Sequence, residues 1–304
     1  MHLRPEDTEM EFIRFVRSAH LNAYGTLYGG WMMRWIVDAA STVAVRLARG
    51  PAVLGYVDDL HFLSPIMPGE LAIYRARAEH TSKHSIVVSV EVWAEDPVSG
   101  ERKPATFSML SYVAVDGKGR PRELPVGIIG TEMGRQFYEN VKERIADRGQ
   151  RGQDVNVEGY ELVTSTLVRE EHLVNADLMY AGYLLFLLDE VGSITALKYS
   201  RGPAVTACLD RLAFYTPMRK GDVVHFYSKI TKVWNTSMEI SVKTLVEKPE
   251  GLRHATTSYM VFVAMGEKGP RRIPPMEDGD PEADRRREER FRILQRIREL
   301  MSSR

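Results

Sequence analysis

The chain repeats itself once, at a constant offset of 152 residues. Arg49-Gly50-Pro51-Ala52-Val53 returns as Arg201-Gly202-Pro203-Ala204-Val205. Asp58, Leu60, Phe62, Pro65 and Gly69 return as Asp210, Leu212, Phe214, Pro217 and Gly221. Upstream, His20, Leu21 and Gly30 return as His172, Leu173 and Gly182, and downstream Ser85 returns as Ser237. A period this long is a whole domain rather than one unit of a solenoid. Two copies of one fold can be compared position by position, and a site that is polar in one copy and apolar in the other marks chemistry that only one copy kept.

Each copy has the same coarse order. A turn, His20 to Gly25, precedes a mostly apolar segment from Gly30 to Ala48, hydrophobic nearly all round as a buried helix is. Runs rich in Val, Ile and Tyr follow at 52–64, 70–80, 85–95 and 105–115, parted by turn residues such as Pro65 to Gly69. The second copy gives a helix over 181–199 and strands at 204–216, 222–232, 237–247 and 254–264. One long helix followed by a meander implies an α+β unit, an antiparallel sheet wrapped on a buried helix. The expected organisation is a first domain over 10–126, a linker over 127–160, a second domain over 161–275 and a charged helical tail over 276–304. Met133, Phe137, Val141 and Ile145 give the linker a helical period, and Arg148 to Gln153 reads as a flexible link. Asp280-Pro281 suits the start of the tail helix, and Phe291, Leu294, Ile297 and Met301 give it an apolar stripe.

Composition narrows the function classes. Lys plus Arg and Asp plus Glu both number 41, so no global field favours nucleic acid or an anionic membrane. The Arg285-Arg286-Arg287 run is offset by Glu288 and Glu289 and reads as a solvated helix face. The apolar stretch Leu178 to Leu188 is too short to span a bilayer. The charged first residues show no signal peptide, and Cys208, the single cysteine, reads as a buried structural thiol; a cytoplasmic protein is expected.

Asn22-x-x-Gly25-Thr26-x-Tyr28-Gly29-Gly30-Trp31-x-Met33 resembles the signature that opens the central helix of hot dog-fold acyl-CoA thioesterases. Val57-Asp58-x-Leu60-x-Phe62-x-x-Pro65-x-x-Pro68-Gly69, Ser85-x-x-Val88-x-Val90-Glu91-Val92 and Tyr112-Val113-Ala114-Val115-Asp116 resemble that family's following strands, and the second copy matches from about Leu162 to Pro274. The ordered set, found twice, is similar to the tandem cytosolic acyl-CoA hydrolases. The resemblance implies two hot dog domains paired within one chain, acyl-CoA as substrate, and three tandem chains in a ring. It also implies a catalytic Asn in the turn of one domain and a carboxylate in the helix of the other.

Transferred position by position, the Asn is Asn22 in the first copy, and Val174 holds its place in the second. The helix carboxylate is Asp189 in the second copy, and Val37 holds its place in the first. Asp38 cannot substitute, because neighbouring helix residues point about 100° apart. If the two helices pack antiparallel about a pseudo-twofold, one groove receives Asn22, Gly30 and Asp189. The other receives Val174, Gly182 and Val37. Thioester hydrolysis needs a base for water and donors for an oxyanion, and unpaired N–H groups at a helix start suit the second task. The expected site is therefore Asp189 as general base (or, as a second possibility, nucleophile), Asn22 orienting water or carbonyl, and the Gly30 N–H as oxyanion donor. Gly29, Ser85 and Ser237 are candidate substrate contacts, although Gly29 also suits close helix packing and the serines also suit strand ends. Asp58, Asp210, His20 and His172 recur in both copies and read as structural.

No metal-ligand spacing, phosphate loop or Ser-His-Asp order is present, so no cofactor and no metal are expected. The alternatives are a hot dog-fold hydratase or dehydratase, for which only His20 speaks, and a non-catalytic acyl-CoA sensor.

Overall fold

The structure, a computed structural model, describes residues 2–303 apart from 147, 176 and 277. The repeat folds as two like units. In the first, strand β1 (Met10–Phe15) leads to helix α1 (Gly29–Ala48). Strands β2 (Ala52–Val57), β3 (Leu60–His61), β4 (Leu71–Thr81), β5 (Ser85–Glu95) and β6 (Arg102–Ala114) follow. The linker holds helix α2 (Glu132–Arg144) and a single helical turn at Arg148–Arg151, where the sequence suggested only a flexible link. The second unit repeats the order with β7 (Glu161–Leu167), α3 (Ala181–Ser200), β8 (Ala204–Leu209), β9 (Leu212–Ala213), β10 (Val223–Val233), β11 (Ser237–Lys248) and β12 (Gly251–Gly266). Helix α4 (Glu282–Ser302) closes the chain. This is the expected α+β class, with each helix buried against an antiparallel sheet.

Two features depart from the sequence reading. A strand precedes each helix: β1 pairs with β4 and β7 with β10, each at the edge of its sheet. Edge strands expose half or more of their side chains, and the mixed pattern of Met10–Phe15 hides the strand from a search for apolar runs. The second departure is that the expected strands 52–64 and 204–216 are each cut in two by a change of sheet. Sheet order is β9-β2-β6-β5-β4-β1 in one unit and β3-β8-β12-β11-β10-β7 in the other. Each unit thus lends a two-residue strand to its twin, with Leu60 opposite Leu209 and Leu212 opposite Val57. Twin backbone bonds mark the crossing: Phe62 N–H donates to Ala207 O at 3.0 Å, and Phe214 N–H to Gly55 O at 3.4 Å. The pairs differ by the repeat offset, so the exchange is reciprocal about a pseudo-twofold.

The recurring Asp58 and Asp210 sit at this crossing, and Asp210 has a clear structural task. Its carboxylate takes Arg290 of α4 in a fork, Nε to Oδ1 at 2.6 Å and Nη2 to Oδ2 at 2.7 Å. Arg290 also bonds the buried Glu239, which Arg286 joins as well. The tail helix is therefore anchored by buried ion pairs as much as by its apolar stripe. Ile297 and Met301 are buried as the stripe requires, together with Ala283 and Arg290. Phe291, by contrast, is 58% exposed, because the face turned inward is the one carrying Arg290. Ile297 and Met301 join Phe137 and Val141 of α2 in a second, smaller core over Tyr56, Val87, Phe107 and Met109. Met133 and Ile145, the ends of the linker's helical period, pack against it. Cys208 is buried, and burial pushes its thiol well up from the ordinary value.

Removing Arg290 strands two buried carboxylates, a change that typically costs about 3–5 kcal/mol. Arg290→Ala is expected to lower the melting temperature steeply while Arg292→Ala, on the exposed side of the same helix, leaves it nearly unchanged. Thermal unfolding followed by circular dichroism checks this.

Candidate active site

The two central helices cross antiparallel, as two reciprocal contacts show. The start of α1 meets the middle of α3, where Gly30 N–H donates to Asp189 Oδ2 at 2.9 Å. The start of α3 meets the middle of α1, where the Tyr180 hydroxyl donates to Asp38 Oδ1. The helices can approach so closely because the first turn of α1 is a glycine pair. A Cβ at Gly30 would stand 3.2 Å from the Phe186 carbonyl oxygen, and one at Gly29 would stand 2.9 Å from Thr206 Oγ1 and 3.2 Å from Asp189 Oδ1.

Asp189 is wholly buried, 0% exposed, although it is a carboxylate inside a helix. Its second oxygen, Oδ1, accepts the Thr206 hydroxyl at 2.7 Å. A buried charge needs such donors. Burial pushes the Asp189 carboxyl up to about 6, and the Thr206 and Gly30 bonds hold it from going higher. The Tyr28 hydroxyl lies near enough to bias the same carboxylate, yet it completes a hydrogen bond with none of the described residues. The Gly30 N–H, the expected oxyanion donor, faces Asp189, because the desolvated carboxylate is a strong acceptor within reach.

Asn22 meets Asp189 only through Tyr28, which shares a cavity with Asn22 and lies beside the carboxylate. It lines a cavity of about 270 Å³ with Tyr28, Glu190, Ser193 and Ala204. Its amide is largely spent on its own turn: Oδ1 accepts from Tyr24 N–H at 3.0 Å and Thr26 N–H at 3.2 Å, and Nδ2 donates to Thr26 Oγ1 at 3.0 Å. One Nδ2 hydrogen is left for a ligand. The structure does not bring Ser85 or Ser237 into this cavity. Ser85 begins β5, and Ser237 begins β11 and lines a separate cavity beneath α4 with Trp234 and Phe291. His20 and His172 close their turns alike, each Nδ1 accepting a backbone N–H at 3.2 Å, from Arg17 and Arg169. Among the described residues no cluster of three or more His, Cys, Asp or Glu is placed to hold a metal ion.

The twin groove has the same outline and different chemistry. Val174, Tyr180, Ser41 and Ala52 stand where Asn22, Tyr28, Ser193 and Ala204 stand, around a cavity of about 120 Å³. Val37 fills the Asp189 position and is buried, while Val174 is 43% exposed at the mouth. A third polar position escaped the sequence reading. Thr206, the hydroxyl partner of Asp189, corresponds to Leu54. The signal was available, since Thr206 and Leu54 form the same kind of one-copy asymmetry as Asp189 and Val37.

Comparison with known proteins follows the same division. The Thioesterase superfamily model matches residues 24–101 and again 177–251, once in each unit. The chain belongs to the thioesterase superfamily. It is 29% identical over 301 residues to the cytosolic acyl coenzyme A thioester hydrolase of Mus musculus, an alignment covering 87% of this chain and 78% of the relative. It is 36% identical over 112 residues to the acyl-CoA thioester hydrolase YciA of Escherichia coli (strain K12), covering 36% of this chain and 84% of the relative. A solved apo-hexameric acyl-CoA thioesterase matches 48% of this chain and 98% of its own at 28% identity, with a TM-score of 0.44. As a thioesterase built of two hot dog units, the chain places the buried Asp189 carboxylate between its two central helices. Among the described residues no helix is long and apolar enough to cross a membrane.

The raised Asp189 carboxyl has two measurable consequences. If Asp189 is the base, the rate falls about tenfold per pH unit below about 6, where the carboxylate takes up its proton. The folded chain also holds that proton more tightly than the unfolded chain, so the stability linked to Asp189 is full at low pH and is lost as pH rises from 3.8 through about 6. Asp189→Asn is therefore expected to unfold at a higher temperature than the parent at pH 7–8, by up to about 3 kcal/mol, with the gap closing toward pH 4. Thermal melts of both proteins across this range check the sign.

Proposed function

We propose that the chain hydrolyses acyl-CoA to the free acid and CoA, at one site per chain in the groove between its two units. The observation that carries this reading is the fully buried Asp189 carboxylate of α3, held on the first turn of α1 by the Gly30 N–H, with no counterpart in the twin groove. The names of the relatives, acyl-CoA thioester hydrolases, support the choice of substrate.

The steps balance with water alone. Asp189 takes one proton as the water oxygen bonds to the thioester carbon, and the carbonyl electron pair moves onto oxygen. Asn22 gives its remaining amide N–H to the water or the carbonyl. When the oxyanion collapses, the carbon–sulfur bond breaks, the thiolate leaves with the electron pair, and Asp189 returns the proton to sulfur. Thr206 keeps Asp189 oriented through its 2.7 Å bond. As the carboxylate turns toward water, the Gly30 N–H is released toward the developing oxyanion.

The same reading includes a functional division at 10–126 and 161–275, with 127–160 as linker and 276–304 as tail. It also includes a ring of three tandem chains and a cytoplasmic location, the last in line with the word cytosolic in the relative's name. A His20-based hydratase gains no support, since His20 is engaged by Arg17 and packed edge-on against Trp31 and Trp35 at 5.2 and 4.9 Å.

Free thiol released from acyl-CoA, measured across chain lengths, tests the reading. Asp189→Asn and Asn22→Ala are each expected to cut kcat about a hundredfold or more with the fold intact, while Val37→Ala and Val174→Ala leave it near the parent value. A parent chain that binds acyl-CoA without releasing thiol would favour a sensor.

The twin groove offers a constructive test. In an Asp189→Asn background, Val37→Asp with Val174→Asn lacks the hydroxyl that the buried carboxylate needs, and is expected to stay inert. Adding Leu54→Thr supplies that donor, and measurable thiol release is expected only from the triple combination. No turnover from a folded triple variant would mean that the 120 Å³ cavity cannot seat the thioester.

A further inference from the structure

The asymmetry between the grooves extends to a residue that is the same in both. Tyr28 and Tyr180 precede the two central helices and are related by the repeat. Each ring folds back over the glycine two residues on: a Cβ at Gly30 would stand 2.7 Å from Tyr28 Cε1, and one at Gly182 would stand 2.6 Å from Tyr180 Cε1. The two hydroxyls have different fates. Tyr180 donates to Asp38. The position matching Asp38 in the other copy is Glu190, whose side chain is exposed. The Tyr28 hydroxyl is left buried with no partner among the described residues.

A buried hydroxyl without a completed hydrogen bond opposes folding. The Asp189 carboxylate and the Ser193 hydroxyl lie close enough to act on it, but neither completes a hydrogen bond with it, and the two Asp189 oxygens already accept from Gly30 and Thr206. The ring cannot easily swing away, since Phe186 packs edge-on against it at 5.5 Å. Tyr28 lines the cavity that Asn22 lines, and its hydroxyl lies beside Asp189, which does not itself line that cavity. A group that reaches Asp189 therefore also meets the hydroxyl.

We propose that Tyr28 is a catalytic residue of this chain, donating its hydroxyl hydrogen to the thioester carbonyl oxygen and to the oxyanion that forms there. The proposal rests on the thioesterase reading above. Tyr28 would act beside the Gly30 N–H, which Asp189 holds at 2.9 Å until the carboxylate turns toward water. Tyr28 is a buried donor beside Asp189 whose hydrogen bond is not completed by any described residue. The phenol gives a hydrogen bond and keeps its proton, since burial first and the Asp189 charge second raise it well above its ordinary value. The proton moved in the reaction remains the one carried by Asp189.

The test is Tyr28→Phe in the full chain, with Tyr180→Phe as its twin, assayed by thiol release from acyl-CoA against pH. Tyr28→Phe is expected to lower kcat about ten- to a hundredfold, with KM within about twofold and the midpoint of the acid limb unmoved. Tyr180→Phe is expected to stay within about twofold of the parent. A Tyr28→Phe kcat near the parent value overturns the proposal. So does a loss explained by a moved acid limb, because Tyr28 would then act through Asp189. An equal loss in Tyr180→Phe overturns it too. The substitution removes one oxygen that makes no hydrogen bond, so the melting temperature should be unchanged or higher; failure to fold would show the hydroxyl to be structural and would also overturn the assignment. A parent chain inert toward every acyl-CoA ends the thioesterase reading and this one together, whereas an active parent with an equally active Tyr28→Phe ends this one alone.

Discussion

One hydrogen bond, from the Gly30 N–H of α1 to the Asp189 carboxylate of α3, constrains most of what surrounds it. A carboxylate with no exposed surface is tolerable only where donors meet it. A helix start supplies such donors, because its first N–H groups have no acceptor within the helix. The bond forms only if the helices cross antiparallel with the start of one against the middle of the other. That crossing leaves no room for a side chain at Gly30, whose equivalent in α3 is Gly182, whereas the equivalent of Gly29 is Ala181. A methyl group at Gly29 would meet the Thr206 hydroxyl, and one at Gly30 would meet the backbone of α3.

The sheets enforce the same geometry from outside. Because β3 and β9 cross into the opposite sheets, the two units are joined by backbone pairing as well as by helix contact. Helix α4 adds a third tie through Arg290, which reaches Asp210 at the crossing and Glu239 in β11. These contacts offset a site that opposes stability: a desolvated carboxylate, and beside it a buried hydroxyl that completes no hydrogen bond among the described residues. Destabilised groups of this kind persist where the remaining structure holds them in place.

The duplication, the two buried helices and the long strands were legible because they rest on periodicity, which survives in a single sequence. Asp189 and Asn22 stand out in the sequence because a second copy serves as the control for each; their catalytic roles belong to the proposal above. Thr206 obeyed the same logic but lay in an apolar strand, where a threonine is unremarkable until its neighbour is known. The exchanged strands were not legible, since a two-residue strand carries no period and partner choice depends on the pseudo-twofold. The inward face of α4 was misjudged for a related reason. An arginine reads as a surface residue, and only the buried Asp210 and Glu239 show why Arg290 turns inward and leaves Phe291 outside.

That each groove draws on both copies changes what a mutation can do. In two independent domains, damage in one copy spoils the site of that copy. Here position 37 of the first copy and positions 174 and 182 of the second serve one groove, while 22 and 30 of the first and 189 of the second serve the other. A change that silences one groove leaves its remaining members, which lie in the opposite copy, with no reaction to serve, so further change there meets no functional resistance. Loss is thereby channelled into one groove and away from the other. Val37 and Val174 lie in different copies of the chain, yet both belong to one groove.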